Sequence, residues 1–271
     1  MKRVRFLKWL LLGAGGLVGL SLLFAGQRPF RELRGEAPTS LPSDYQVPGE
    51  LVLGRLIFPS GGMGGFSRGG SGQLIDYPKG DRLFAQAIRR LTRINVRSIE
   101  QPTNPDDDDD IFYWPYLHVA MPTTWNFADP QAKKVREWFD RGGFMVVDSF
   151  FGAEEWKGFE VGLRQIFPDR QVEELPDDDS IFHTVYDLSE RYQIGNWRSV
   201  ERDGRSYRNN DGAKPYWRGI RDEKGRIVVA INFNSDMGDS WQHADNPRYD
   251  EKWSALGIRL GINYVTYAMT H

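Results

Sequence analysis

The chain predicts an open, doubly wound α/β domain: a mostly parallel sheet covered by helices on both faces, with one antiparallel addition near its end. Three observations lead there. Strand-like apolar runs alternate with helix-spaced stripes over residues 51–167, the order of a parallel sheet with crossover helices. The run Ile111–Ala120 is too continuously apolar for a half-exposed strand and suits a sheet buried on both faces. Trp217–Arg221 and Arg226–Phe233 flank Glu223-Lys224-Gly225 and read as a hairpin.

Taken in order, residues 1–26 come first. Lys2, Arg3, Arg5 and Lys8 precede an uncharged run from Trp9 to Gly26, the pattern of a signal segment or membrane anchor. The run sits near the lower length limit for a span, about 17 residues. Leu23-Phe24-Ala25 and Phe24-Ala25-Gly26 lack a small residue at the outer position of a cleavage site, which favours an uncleaved anchor. The basic residues before it outnumber Arg28, Arg31 and Arg34 after it, which sets the N-terminus in the cytoplasm and residues 27 onward outside. The expectation is a single-pass inner-membrane protein with an envelope-facing domain.

Residues 27–49 carry Pro29, Pro38, Pro42 and Pro48 among polar residues and read as a tether. The domain, 50–271, opens with a strand at Leu51–Phe58. Between Ser60 and Gly72, seven of thirteen residues are glycine, which demands a loop. Leu83, Ala87, Ile88 and Leu91 share one face of a helix over Lys79–Thr92, and Asn95–Glu100 follows as a short strand. The acidic stretch Pro102 to Asp110 is turn-rich, and its five consecutive aspartates read as a solvated loop without calcium-loop spacing. Asp129 is expected to cap a helix, with Pro130 at its first position and Gly142 at its end, and Val135, Trp138 and Phe139 form its stripe. Phe144–Val147 is a buried strand ending at Asp148-Ser149. Trp156, Phe159, Leu163 and Ile166 space a further helix, stopped by Pro168. Residues 169–215 read as irregular. A helix from Glu251 to Ala268, apolar nearly all round and carrying Gly257 and Gly261 one turn apart, is expected to pack tightly on the sheet.

Composition narrows the function classes. The absence of cysteine removes disulfides, thiolate metal sites, lipid attachment at cysteine and cysteine nucleophiles. A net charge of −2 gives no basic field for nucleic acid. Ligands of such sheets bind beyond the carboxyl ends of the strands. That rule nominates the loops after Phe58, Ala120, Val147 and Phe233, which bring together Asp76, Thr123, Thr124, Asp148, Ser149, Asn232, Asn234, Asp236 and Asp239, and a ligand site is expected at Asp76, Asp148, Asn234, Asp236, Asp239 and Trp241. No cofactor is identified, although convergent carboxylates suit a divalent cation or a polyhydroxylated ligand. The bland reading is that each aspartate caps a turn or helix. Among catalytic constellations, Asp148 and Ser149 close a central strand, and a Ser149–His243–Asp245 triad can be drawn. The G-x-S-x-G elbow is missing, because Val147 and Phe151 stand where its glycines belong. His118 reads as a core residue. Trp114, Trp125, Trp197 and Trp241 are the tryptophans placed to stack on a sugar. The glycine loop matches no phosphate-binding motif.

Several stretches together resemble the bacterial family known as domain of unknown function 4159. They are Gly54–Phe58, Asp76-Tyr77-Pro78 with the helix to Thr92, Arg141–Phe144, Ile166-Phe167-Pro168, Ile181-Phe182-His183, Asp187-Leu188, Asn232–Trp241 and Leu260–Tyr264. The resemblance implies a flavodoxin-like sheet of the class I glutamine amidotransferase-like kind. Asp148-Ser149 stands where an amidotransferase carries its cysteine, so glutaminase activity is excluded. His243-Ala244-Asp245 echoes the amidotransferase His-x-Glu at most. The resemblance also implies envelope-associated protein partners. Two readings follow: a membrane-tethered, non-catalytic binding or assembly module, or a hydrolase of an envelope glycan using Asp148, Asp236 and Asp239.

Overall fold

A computed structural model describes residues 41–44, 50–60 and 72–271. The predicted anchor, most of the tether and nearly all of the glycine loop lie outside the described residues. Among the described residues no helix is long and apolar enough to cross a membrane. Asp44, within the predicted tether, accepts hydrogen bonds from Ser98 N and Oγ (3.1 and 2.8 Å) and pairs with Arg89.

Among the described residues seven strands form one sheet: β1 Gly54–Leu56, β2 Gln101–Thr103, β3 Tyr116–Ala120, β4 Phe144–Asp148, β5 Glu173–Glu174, β6 Tyr216–Arg221 and β7 Ile227–Phe233. Their order is β2-β1-β3-β4-β7-β6-β5. The first five in that order are parallel, while β6 and β5 run antiparallel. The predicted α/β class and the hairpin are thus both present. Helices are α1 Lys79–Leu91, α2 Asp129–Asp140, α3 Gly152–Ile166, α4 Trp197–Asp203, α5 Met237–Gln242 and α6 Glu251–Thr270.

Alternation along the buried strands sends side chains into two cores. Leu117, Val119, Met145 and Val147 meet Val135, Trp138, Phe159 and Leu163 of α2 and α3. Tyr116, Phe144 and Val146 meet Phe84 and Ile88 of α1 and Leu256, Leu260 and Tyr264 of α6. On that second face α6 is pinned by hydrogen bonds: Tyr264 Oη donates to Asn232 Oδ1 (2.8 Å) and Tyr267 Oη accepts from Ile227 N (3.0 Å).

Four expectations need correction. The strand expected at Asn95–Glu100 lies at Gln101–Thr103, with only an isolated bridge from Val96 to Leu51. Pro102 argues against a central strand, but β2 is the sheet edge, where the missing N–H is tolerated. Asp129 is inside α2, not its cap: Gln131 Oε1 accepts the N–H of Ala128 instead (2.8 Å). Helix α6 does pack on the sheet, as expected, but Gly257 and Gly261 turn towards neighbouring helices. A Cβ at 257 would lie 1.8 Å from Ser240 Oγ of α5, and one at 261 would lie 2.6 Å from Phe84 Cζ of α1, so they seat helix against helix. Residues 169–215 contain β5 and α4 within otherwise irregular chain. In the aspartate run Asp106, Asp108 and Asp109 are exposed and Asp107 and Asp110 half-buried; Asp106 accepts from Gln131, Asp110 from Thr103, and the Asp108 carbonyl from Lys134.

Candidate functional site: a buried carboxylate cluster

The carboxyl ends of β3, β4 and β7 and the segment after β1 converge on one place. Among the described residues five non-glycine residues have positive φ, and four of them stand there: Asp76 (65°), Met121 (48°), Ser149 (64°) and Asn234 (60°). L-residues adopt that region at a steric cost, and it turns each chain sharply off its strand.

Asp148, wholly buried, ends β4. Its Oδ1 lies 2.7 Å from His118 Nε2, and its Oδ2 accepts the N–H of Gly238 (2.8 Å). Beyond His118 sits a second buried pair. Arg55 of β1 donates from Nη2 to Asp81 Oδ2 of α1 (2.7 Å), and His118 Nδ1 lies 3.8 Å from Asp81 Oδ1. Burial and Arg55 oppose protonation of His118, but Asp148 and Asp81 outweigh them and raise its pKa. Burial likewise works against ionisation of Asp81, yet Arg55 and His118 prevail and its pKa is lowered.

Asp236 caps α5 and does more. Its Oδ1 accepts from Ser149 Oγ (2.7 Å) and from Asp239 N (3.1 Å), and its Oδ2 accepts from Asn196 Nδ2 (2.9 Å). Asp239 Oδ2 accepts from Trp197 N (2.6 Å) and from the same Asn196 amide (3.2 Å). Asp76 completes the group. Neither of its oxygens has a hydrogen-bond partner among the described residues, although it is 4% exposed. Asp76, Asp236 and Asp239 each offer an oxygen within 4.8 Å of the others. Gly238 makes the approach possible: a Cβ there would stand 2.3 Å from Asp76 Oδ2.

Such crowding shifts the equilibria upward. Burial first, then the charge of Asp236, pushes Asp76 up to about 8. Burial, then Asp148, raises Asp236 against the pull of Ser149 and Asn196. Burial, then Asp236 and Asp76, raises Asp239 well above the carboxylate range. Asn196 bridges Asp236 and Asp239, but among the described residues no donor stands between them and Asp76, and carboxyls so placed need a proton or a cation.

The structure therefore brings together Asp76, Asp148, Ser149, Asp236 and Asp239. Asn234 is a latch beside them: its Oδ1 accepts from Gly152 N (2.8 Å) and its Nδ2 donates to Lys214 O (2.7 Å). Trp241 lies beneath the site, buried, stacked on Phe84 at 4.1 Å and edge-on to His118. Trp114 and Trp125 are buried too, so neither offers a face to a sugar. Trp197 is half-buried, with His243 stacked on it at 4.8 Å and Arg248 over the same ring.

The drawn triad does not form a hydrogen-bonded relay. Ser149 donates to Asp236, His243 Nε2 lies 3.7 Å from Asp239 Oδ1, and Asp245 pairs on the surface with Lys79 (3.0 Å). Sequence reasoning missed Arg55, Asp81 and Asn196, and it gave His118 no polar role. A charged residue inside the apolar run of β1 was the available signal for Arg55. Asp81 and Asn196 gave none, because an aspartate in a first helical turn and an asparagine at a helix start are ordinary features.

Two comparisons bear on this arrangement. The profile of one family, described as Domain of unknown function (DUF4159), matches residues 67–269. No curated protein matches the chain.

Proposed function

We propose, for a chain that belongs to the DUF4159 family, a non-catalytic recognition domain held at the membrane by residues 1–26. Its ligand site lies at the strand-end cluster. The observation that carries the reading is the engagement of the serine that follows β4 and of the buried histidine beside it. The Ser149 hydroxyl is given to Asp236, and His118 is held between Asp148 and Asp81. Asp76 and Asp239, each 4% exposed, are the slightly exposed members, with half-buried His243 and exposed Lys79 close by.

The parallel strands, taken in chain order, read 2-1-3-4-5 across the sheet, which supports a flavodoxin-like and hence amidotransferase-like fold. The tether, the envelope location and envelope-protein partners rest on the sequence and on the family resemblance. A hydrolase reading keeps one observation in its favour. Ser149 sits at a left-handed turn after a central strand with a carboxylate 2.7 Å from its Oγ. Against it, Ser149 is 1% exposed and no histidine bonds it.

The test is a thermal-shift screen of the full-length chain against envelope glycans, peptides and nucleotides, with hydrolysis followed in parallel. A ligand whose shift vanishes in Asp236→Asn, without turnover, supports recognition. Turnover abolished by Ser149→Ala would replace recognition with the hydrolase.

A further inference from the structure

We propose that Asp76, Asp236 and Asp239 ligate one hard divalent cation, of the Mg2+, Mn2+ or Ca2+ class, at the carboxyl ends of the strands. The inference rests on the recognition reading for the site's location, not for its tether or partners.

Geometry comes first. Oxygens sharing a cation at about 2.1–2.5 Å lie up to about 4–5 Å apart, and these three carboxylates meet that spacing. The donors are oxygen only, with neither sulfur nor imidazole among them, which selects hard cations over zinc or copper.

The second observation is Asp76 itself. It is 96% buried in effect, at 4% exposed, and neither oxygen has a hydrogen-bond partner among the described residues. Buried carboxylates without partners are strongly unfavourable. The residue is not there by default of space, since Gly238 leaves room for its oxygen. The other two carboxylates are held as ligands usually are, by hydrogen bonds from behind. Ser149 and Asn196 hold Asp236, and Asn196 and Trp197 N hold Asp239, whose Oδ1 has His243 Nε2 at 3.7 Å and no hydrogen bond from it.

Charge balance gives a third argument. Five buried carboxylates (Asp76, Asp81, Asp148, Asp236 and Asp239) face two buried cationic side chains, Arg55 and His118. A buried excess of negative charge needs protons or a metal ion, because each unpaired buried ion is strongly disfavoured. A divalent cation supplies the missing charge at the point where Asp76 lacks a partner among the described residues.

The experiment strips the full-length chain with EDTA and titrates Mn2+ at pH 8, reading bound Mn2+ by electron paramagnetic resonance and melting temperature in parallel. One Mn2+ per chain, displaced by Mg2+ or Ca2+, is expected. At a hundred times the dissociation constant the melting temperature should rise by about 5–10 °C. Asp76→Asn, close to isosteric, should weaken Mn2+ binding more than tenfold, while Asp245→Asn, at the surface, should leave it unchanged. No bound Mn2+ at millimolar concentration, or equal binding by Asp76→Asn, would overturn the site and leave the carboxyls sharing protons. The outcomes separate from the recognition reading. A polar ligand whose shift survives EDTA in a chain that binds no Mn2+ would overturn the cation and keep recognition. Mn2+ binding with no response to any polar ligand would keep the cation and remove recognition.

Discussion

Replacing Asp76 by asparagine in the metal-free protein should stabilise it, an unusual outcome for a buried polar residue. Asp76 has no hydrogen bond to lose among the described residues, and it stands within 4.8 Å of two other carboxylates. Its carboxyl is raised from the ordinary 3.8 to about 8, chiefly by burial and then by Asp236. The native state therefore holds a proton that the unfolded chain gives up near pH 4. Stability from this group is fully present below about pH 4 and drains away as pH rises through 8. About four pH units at roughly 1.4 kcal/mol each set a ceiling of roughly 6 kcal/mol. The proton is shared among three carboxyls, so one substitution should recover about half, roughly 2–3 kcal/mol at pH 8. For a domain of this size that is a rise in melting temperature of about 4–10 °C. The assay is a series of thermal melts in EDTA from pH 4.5 to 8.5. The gain should be near zero at the acid end and grow with pH. An Asp76→Asn protein that melts lower than wild type at pH 8, or a gain independent of pH, would refute the account of Asp76 as a repelled, partnerless carboxylate.

Three other substitutions probe the surroundings. Asp81→Leu leaves the wholly buried Arg55 without its carboxylate and should cost about 3–5 kcal/mol in urea unfolding. Adding Arg55→Met should recover most of that loss, and a double variant as unstable as the single one would show that the pair is not the cause. Gly257→Ala drives a Cβ against Ser240 Oγ and should cost about 1–3 kcal/mol, largely relieved by Ser240→Gly; a wild-type melt for Gly257→Ala would contradict the close helix contact. Asn234→Ala loses two hydrogen bonds and strains a left-handed residue, about 2–4 kcal/mol in all. Asn234→Gly should lose less by the conformational share, and equal losses would leave the backbone argument without support.

What could be read from the chain, and what could not, follows physical lines. Buried parallel strands advertise themselves: Phe144–Val147 and Ile111–Ala120 are continuous apolar runs, and the structure has β4 and β3 within or against them. The first five residues of the second run turned out to precede the strand, because a short 3-10 turn at Asp110–Tyr113 buries Ile111 without extending it. Helix α5 escaped notice because six residues carry too little periodicity to register. At the strand ends the rule gathered Asp76, Asp148, Asp236 and Asp239, which the structure places side by side, since it depends on topology alone. It could not separate a member of the cluster from the latch beside it. Asn234 and Asp236 look alike in sequence, and only the backbone decides that one faces Gly152 and Lys214 while the other faces Ser149 and Asn196. Capping and crowding were posed as alternatives, yet Asp236 does both.

The place of β7 in the sheet has a consequence for how the molecule is made. It fills the slot between β4 and the antiparallel strands, although it is the last strand to leave the ribosome. Before it arrives, β4 presents an open edge and β5 and β6 have no sheet to join. Such an edge recruits foreign strands. The same late stretch delivers Asp236 and Asp239, so the mutual repulsion of the carboxylates is absent during most of synthesis and arises only at closure. Nascent chains halted before Ile227 are therefore the ones a chaperone would have to guard.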